Sequence, residues 1–232
     1  MKKGFTLAEV LIALGIIGVV AAVTLPGLNA NVQKSQVGPA FMKAMNVLEQ
    51  ANMLATHENN ARSLLKACDA NNNNALSTNE YVDCISPYLN ARPVNTTETY
   101  YESIGGKSFS MGQGMALKDG MVYGYYSSDY FQYKGVRVTY AKMFIDINGS
   151  SKGPNTIGRD VFKIYINMNT GRVFAKGSDA WIADLNEQTN HDWSSYGNGQ
   201  SWRIGCNETE VKNPDTCAGS IADNNGKIIY PW

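Results

Sequence analysis

From Phe5 to Leu25 the chain is apolar at nearly every position, and Glu9 is the one ionisable side chain in that run. As a helix these 21 residues would rise about 31 Å, the thickness of a hydrocarbon core of about 30 Å. Lys2 and Lys3 precede the run and favour a cytoplasmic N-terminus. Pro26-Gly27 closes it, because proline removes a helix hydrogen bond and glycine weakens the next turn. Gly38-Pro39 predicts a second interruption. Beyond it Phe41, Ala44, Met45, Leu48, Ala51 and Leu54 or Ala55 recur at three- and four-residue steps. That period predicts an amphipathic helix over 40–57 whose stripe packs on a head domain.

The period then changes. Residues 61–68 and 79–89 read as short helices inside a connector that spans 59–106. Residues 107–177 read as antiparallel strands. Asp119-Gly120 marks a hairpin between strand formers, and 136–140 and 142–147 follow as strands. Residues 161–168 alternate, with Phe162, Ile164, Ile166 and Met168 on one face, before Asn169-Thr170-Gly171 turns into 172–175. The tail, 178–232, is too irregular for a strand count. The order predicts an α+β chain with a long N-terminal helix, membrane-spanning in its first half, packed on an antiparallel sheet. Its divisions are a leader over 1–4, a membrane helix over 5–28, an amphipathic continuation over 29–58, the connector, the sheet and the tail.

Composition changes this picture little. The formal net charge is zero and 17% of residues are charged, so charge gives no argument for nucleic-acid binding. There is no phosphate loop, nucleophile elbow or pair of metal-spaced histidines, and Asp192 beside His191 makes no catalytic site. The expectation is a protein that is not an enzyme. Cys68, Cys84, Cys206 and Cys217 contain no Cys-x-x-Cys spacing, which favours disulfides in an oxidising compartment over zinc. Among the possible pairings, Cys68–Cys84 and Cys206–Cys217 close the shortest loops and are favoured for that reason. Tyr125, Tyr126, Tyr130, Phe131, Tyr133, Trp181, Trp193 and Trp202 read either as an adhesive surface or as core.

Gly4-Phe5-Thr6-Leu7-Ala8-Glu9-Val10, set directly before the apolar run, resembles the signal of type IV prepilins and type II secretion pseudopilins. The resemblance implies a pilin-like fold and cleavage between Gly4 and Phe5 by prepilin peptidase. It implies methylation of the new Phe5 amine and retention of the helix in the inner membrane. The subunit would span the membrane once, N-terminus cytoplasmic and head periplasmic, in contact with lipid. An inner-membrane assembly platform would then add it to a self-assembling helical filament, a pilus or a periplasmic pseudopilus. Adhesion, motility, DNA uptake and protein export all stay open as roles. Glu9, Phe5 and Pro26 are the implied assembly residues: Glu9 meets the Phe5 amine of a neighbour, and Pro26 stands where pilin helices bend or melt on assembly. The Cys206–Cys217 loop resembles the disulfide-bounded C-terminal loop of type IV pilins.

Physical reasoning bears on Glu9 independently. A carboxylate inside a membrane helix costs on the order of 2–3 kcal/mol and marks a functional position. Pairing it with a cation in an apolar filament core would set register, because a misplaced neighbour leaves a charge unpaired. Gly15 and Gly18 permit close helix approach. The rival reading is an ordinary signal peptide cut near Ala21-Ala22-Val23. It would release an exported calcium-dependent adhesin or binding protein, but it leaves Glu9 without a purpose.

Two loops carry oxygen-rich patterns. Asp69, Asn71, Asn73, Ser77 and Glu80 stand at places one, three, five, nine and twelve of an EF-hand-like spacing. The loop reads either as a weak calcium site or as a polar loop closed by Cys68 and Cys84. Asp146, Asn148, Asn155 and Asp160 belong to an Asp-x-Asn-Gly…Gly-Pro-Asn…Gly-x-Asp-x-Phe pattern that resembles a loop of pilin-like heads, some of which bind calcium. This second loop reads either as a calcium site or as an ordered hairpin loop built on glycine and asparagine. Calcium is the one cofactor these patterns suggest.

Overall fold

The computed structural model describes residues 6–71, 76–95, 99–102, 108–110, 112–194 and 205–231, with backbone alone for 26–30, 99–102 and 108–109. The chain divides into two units, residues 1–36 and Val37–Trp232. Helix α1 is assigned over Leu7–Glu58. Neither proline ends it, which corrects the expectation of breaks at Pro26-Gly27 and Gly38-Pro39. In the second unit the reason is packing. A Cβ at Gly38 would collide with the Gly226 carbonyl, so glycine there lets the C-terminal turn close directly on the helix backbone.

The stripe on α1 buries Phe41, Ala44, Met45, Leu48, Ala51 and Ala55, while Leu54 is half exposed. Asn52 shares the buried face. Its amide donates to the Gly171 carbonyl at 3.0 Å and accepts from the Tyr81 hydroxyl at 2.8 Å. Glu49 accepts from the Val173 amide at 2.8 Å, and the Tyr123 hydroxyl donates to the Ala44 carbonyl at 3.0 Å. Small residues bring the helix close, and these bonds set its register on the sheet.

Two short helices follow, α2 (Leu64–Cys68) and α3 (Thr78–Leu89). The strands are β1 (Arg92–Asn95), β2 (Thr99–Glu102), β3 (Ser108–Ser110), β4 (Gln113–Ala116), β5 (Val122–Tyr133), β6 (Val136–Asp146), β7 (Thr156–Ile157), β8 (Val161–Asn167) and β9 (Val173–Ala175). They form one sheet in the order β1-β4-β5-β6-β8-β7-β2-β3, with β9 also on β8. Every pairing is antiparallel except those of β7 with β2 and β8. β1 and β2 fall inside the stretch expected to be connector. Pro93 hides β1 from a propensity reading, and an outer strand is where a sheet tolerates proline.

β6 and β8, at the centre of the sheet, are covered on both faces. Ala141, Met143 and Ile145 of β6, with Phe162, Ile164 and Ile166 of β8, pack with α1, α2, α3 and α5 (Cys217–Asp223). Val138, Tyr140, Tyr165 and Phe174 pack with Trp181, Ile182 and Leu185 of α4 (Asp179–Thr189) on the other side. A bulge at Tyr126 shifts β5 by one residue, between Tyr125 and Ser127. Odd-numbered residues therefore change face: Tyr123 and Tyr125 join the α1 side and Phe131 joins the α4 side. Tyr125, Phe131, Trp181 and Trp193 are core, and Tyr126 and Tyr130 are exposed; Trp202 lies outside the described residues.

The α1 register makes a direct prediction. Leu48→Ala, at a fully buried position, is expected to cost about 2–5 kcal/mol. Leu54→Ala should stay within about 0.5 kcal/mol of wild type. Denaturant unfolding of the full chain in detergent checks both.

Candidate assembly segment and cation loops

Helix α1 begins with a reciprocal cap. The Glu9 carboxylate accepts from the Thr6 amide and the Thr6 hydroxyl, each at 2.8 Å, and the Glu9 amide donates back to the Thr6 hydroxyl at 3.3 Å. This is a Thr-x-x-Glu capping box. It satisfies two orphan groups of the helix start and places a negative charge at the positive end of the dipole. The sequence carried the signal for it, but a reading of Glu9 as a membrane charge passed over Thr6. Gly4 and Phe5 lie outside the described residues. Pro26 sits within the α1 backbone. The span Leu7–Leu25 is long and apolar enough to cross a membrane, and none of it is buried. An apolar surface of that extent calls for lipid or other chains around it.

In the second unit Cys68 bonds Cys84 with a Cα–Cα distance of 5.5 Å and joins α2 to α3. Cys206 bonds Cys217 across 5.0 Å. Between those two cysteines Asp215 accepts from the ammonium groups of Lys163 at 2.6 Å and Lys176 at 2.7 Å, tying the tail loop to β8 and the end of β9. Burial pushes the Asp215 carboxyl up, but Lys176 and then Lys163 outweigh it and hold the group below the usual carboxylate range. Burial, followed by Lys163, pulls Lys176 down from its ordinary value. No sequence pattern announced this cluster, because its members come from separated segments.

The first oxygen-rich loop directs its glutamate inward to the chain. Glu80 accepts from the Ser77 amide at 2.8 Å and the Ser77 hydroxyl at 2.6 Å, and the Glu80 amide donates to that hydroxyl at 3.3 Å. The Asn71 amide donates to its other oxygen. Places nine and twelve of the EF-hand-like spacing thus form the N-terminal capping box of α3. Asp69 is buried at the end of α2, and Asn73 lies outside the described residues.

The second loop is built differently. It joins β6 to β8, with β7 inside it, and the Ile147 amide donates to the Asp160 carbonyl at 2.9 Å, closing its base. Asp146 is 0% and Asp160 2% exposed. Asp146 accepts from the amides of Gly149 at 2.9 Å and Asn148 at 3.3 Å. Asp160 accepts from Thr156 N at 2.7 Å, Asn155 N at 2.9 Å and Asn148 Nδ2 at 3.3 Å. Burial still pushes its carboxyl above the usual range. The Oδ1 atoms of Asn148 and Asn155 are enclosed and accept no hydrogen bond. Among the described residues no group of three His, Cys, Asp or Glu side chains could hold a metal. In this loop asparagine would have to supply oxygens beside the two carboxylates.

With this geometry in place, comparison with known proteins gives one match. Residues 1–25 fit the family model for the prokaryotic N-terminal methylation motif, the prepilin-type signal of type IV pilins and pseudopilins. No curated protein and no solved structure matches the chain. The match ends where the apolar run ends. A long N-terminal helix on a mostly antiparallel sheet is the α+β arrangement that such a signal would lead one to expect.

The Asp215 cluster has a pH signature. A carboxylate held below its ordinary range stabilises the fold above that range, and the contribution fades as pH falls through it. The melting temperature of Asp215→Asn should lie furthest below wild type near neutrality, and the gap should shrink on acidification. Thermal unfolding between neutral and acid pH checks this.

Proposed function

We propose that the chain is a prepilin, cut between Gly4 and Phe5 and methylated on Phe5, which serves as a structural subunit of a type IV pilus or a type II secretion-type filament. The observation that carries this reading is the methylation motif set immediately before an unburied apolar helix. Cleavage there leaves Thr6 as the second residue, so the Thr6–Glu9 cap survives processing. Before assembly the helix lies in the inner membrane, N-terminus cytoplasmic and head periplasmic, with Glu9 held by its own helix start. On assembly the Phe5 amine of a neighbour becomes a charged partner, stronger than a neutral donor. Head-to-tail contacts that do not close generate a helical filament. Prepilin peptidase and an inner-membrane assembly platform are the partners such a route requires, and the role is structural rather than catalytic.

The mature N-terminus tests the processing step. Mass spectrometry is expected to find N-methyl-Phe5; a start near residue 22 or 23 would replace this reading with a secreted binding protein. Glu9→Ala tests assembly. It should leave membrane insertion intact and lower filament yield by tenfold or more, counted by electron microscopy and by shearing. Undiminished filaments would remove Glu9 from the mechanism.

A further inference from the structure

The two disulfides of the head stand in different surroundings. Cys206 is 6% and Cys217 0% exposed, so that bond is closed to solvent. Cys68 is also buried, but Cys84 is half-buried, and both line an open groove of about 420 Å³. Asp69, Glu80 and Asp83 line the same groove, beside Pro87 and Tyr88. Among the described residues no lysine or arginine lines it. An acid-walled opening onto a disulfide controls which reagents reach the sulfur, since the carboxylates repel an approaching anion.

The elements joined by this bond do not depend on it for their places. Leu64 of α2 is fully buried, and the Leu65 amide donates to the Met168 carbonyl at 2.8 Å. Helix α3 buries Tyr81, Val82 and Ile85 completely and starts on its own capping box. The Tyr81 hydroxyl also donates to Asn52 of α1. Breaking Cys68–Cys84 leaves these anchors in place, so the bond can open within a folded head.

We infer that Cys68–Cys84 is a thiol-exchange site gated by charge, open to cationic and neutral thiols and closed to anionic ones. The incoming thiolate attacks the sulfur of Cys84, the more exposed residue of the pair. A new S–S bond forms there and the Cys84–Cys68 bond breaks. Its electron pair leaves on the Cys68 sulfur, which takes a proton from water. The products are a mixed disulfide at Cys84 and a thiol at Cys68, and attack by Cys68 on that mixed disulfide restores the original bond. The carboxylates oppose negative charge on the departing sulfur for every reagent alike. Their effect on approach depends on the reagent's own charge. A thiolate bearing an ammonium group has no net charge, whereas one bearing a sulfonate is doubly negative. The inference concerns the head and stands whether or not the chain enters a filament.

Full-length protein in detergent is treated with cysteamine, mercaptoethanol or mercaptoethanesulfonate at low salt. Rates are corrected for thiolate fraction and nucleophilicity. Peptide mapping by mass spectrometry follows each disulfide, and circular dichroism follows the fold. Cysteamine should open Cys68–Cys84 at least about tenfold faster than the sulfonate reagent, with mercaptoethanol between them. High salt should shrink the spread. Acid quenching should trap the adduct on Cys84, while Cys206–Cys217 stays intact and the spectrum stays native. Asp83→Asn, at an exposed position, should speed the sulfonate reagent about twofold or more and cysteamine less. Glu187→Gln, an exposed acid outside the groove, should change neither rate. The inference is overturned if the three corrected rates agree, or if Asp83→Asn leaves the sulfonate rate unchanged. It is equally overturned if the adduct forms on Cys68 instead, or if both disulfides open together with loss of the folded spectrum.

Discussion

A carboxylate in the first turn of a helix that is otherwise apolar has to be satisfied twice, once in the lone chain and once in any assembly that removes it from water. The structure supplies the first answer. Glu9 folds back on Thr6 and caps its own helix, and this lowers the cost of an acid at the edge of lipid without neutralising it. The cap is made of neutral donors. It leaves room for a cationic partner to do better, and a fully satisfied ion pair would not. The remainder of the N-terminal unit follows from that constraint, since a surface from Leu7 to Leu25 without any burial is stable beside lipid or beside other helices, not beside water.

The head meets its constraint by covering both faces of its central strands, β6 and β8. β8 reads from sequence as a strand with one marked apolar face and β6 as two strands, 136–140 and 142–147, yet β6 is one strand, Val136–Asp146, and Tyr140 and Tyr165 show that a second face is buried as well. The alternation of Phe162, Ile164 and Ile166 was legible because those residues share one buried side of the sheet. Helix α4 was not, because only Trp181, Ile182 and Leu185 mark it in a segment otherwise polar. The bulge at Tyr126 was beyond reach too. A residue that shifts register leaves no compositional trace, and it decides which tyrosines are core.

The N-terminal signal and the helix stripe were readable because each is a local pattern under a strong physical demand: lipid in one case, a sheet face in the other. The break expected at Gly38-Pro39 failed for a complementary reason. Helix propensity is a local sum, whereas the contact between Gly38 and the turn at Gly226 joins opposite ends of the chain. The cluster of Lys163, Lys176 and Asp215 was hidden in the same way.

The two oxygen-rich loops show how similar patterns part company once folded. In the first, a serine three residues before a glutamate satisfies both a motif for metal and a motif for a helix start, and the helix start takes the glutamate because α3 follows at once. In the second no helix follows, so the same kinds of side chain turn inward and meet one another. Burial pushes the Asp160 carboxyl up, and the amides of Thr156 and Asn155 offset part of that cost. The Asn148 side chain adds a third donor to Asp160 at 3.3 Å, so a loop with no helix start to cap satisfies its acid from its own turns.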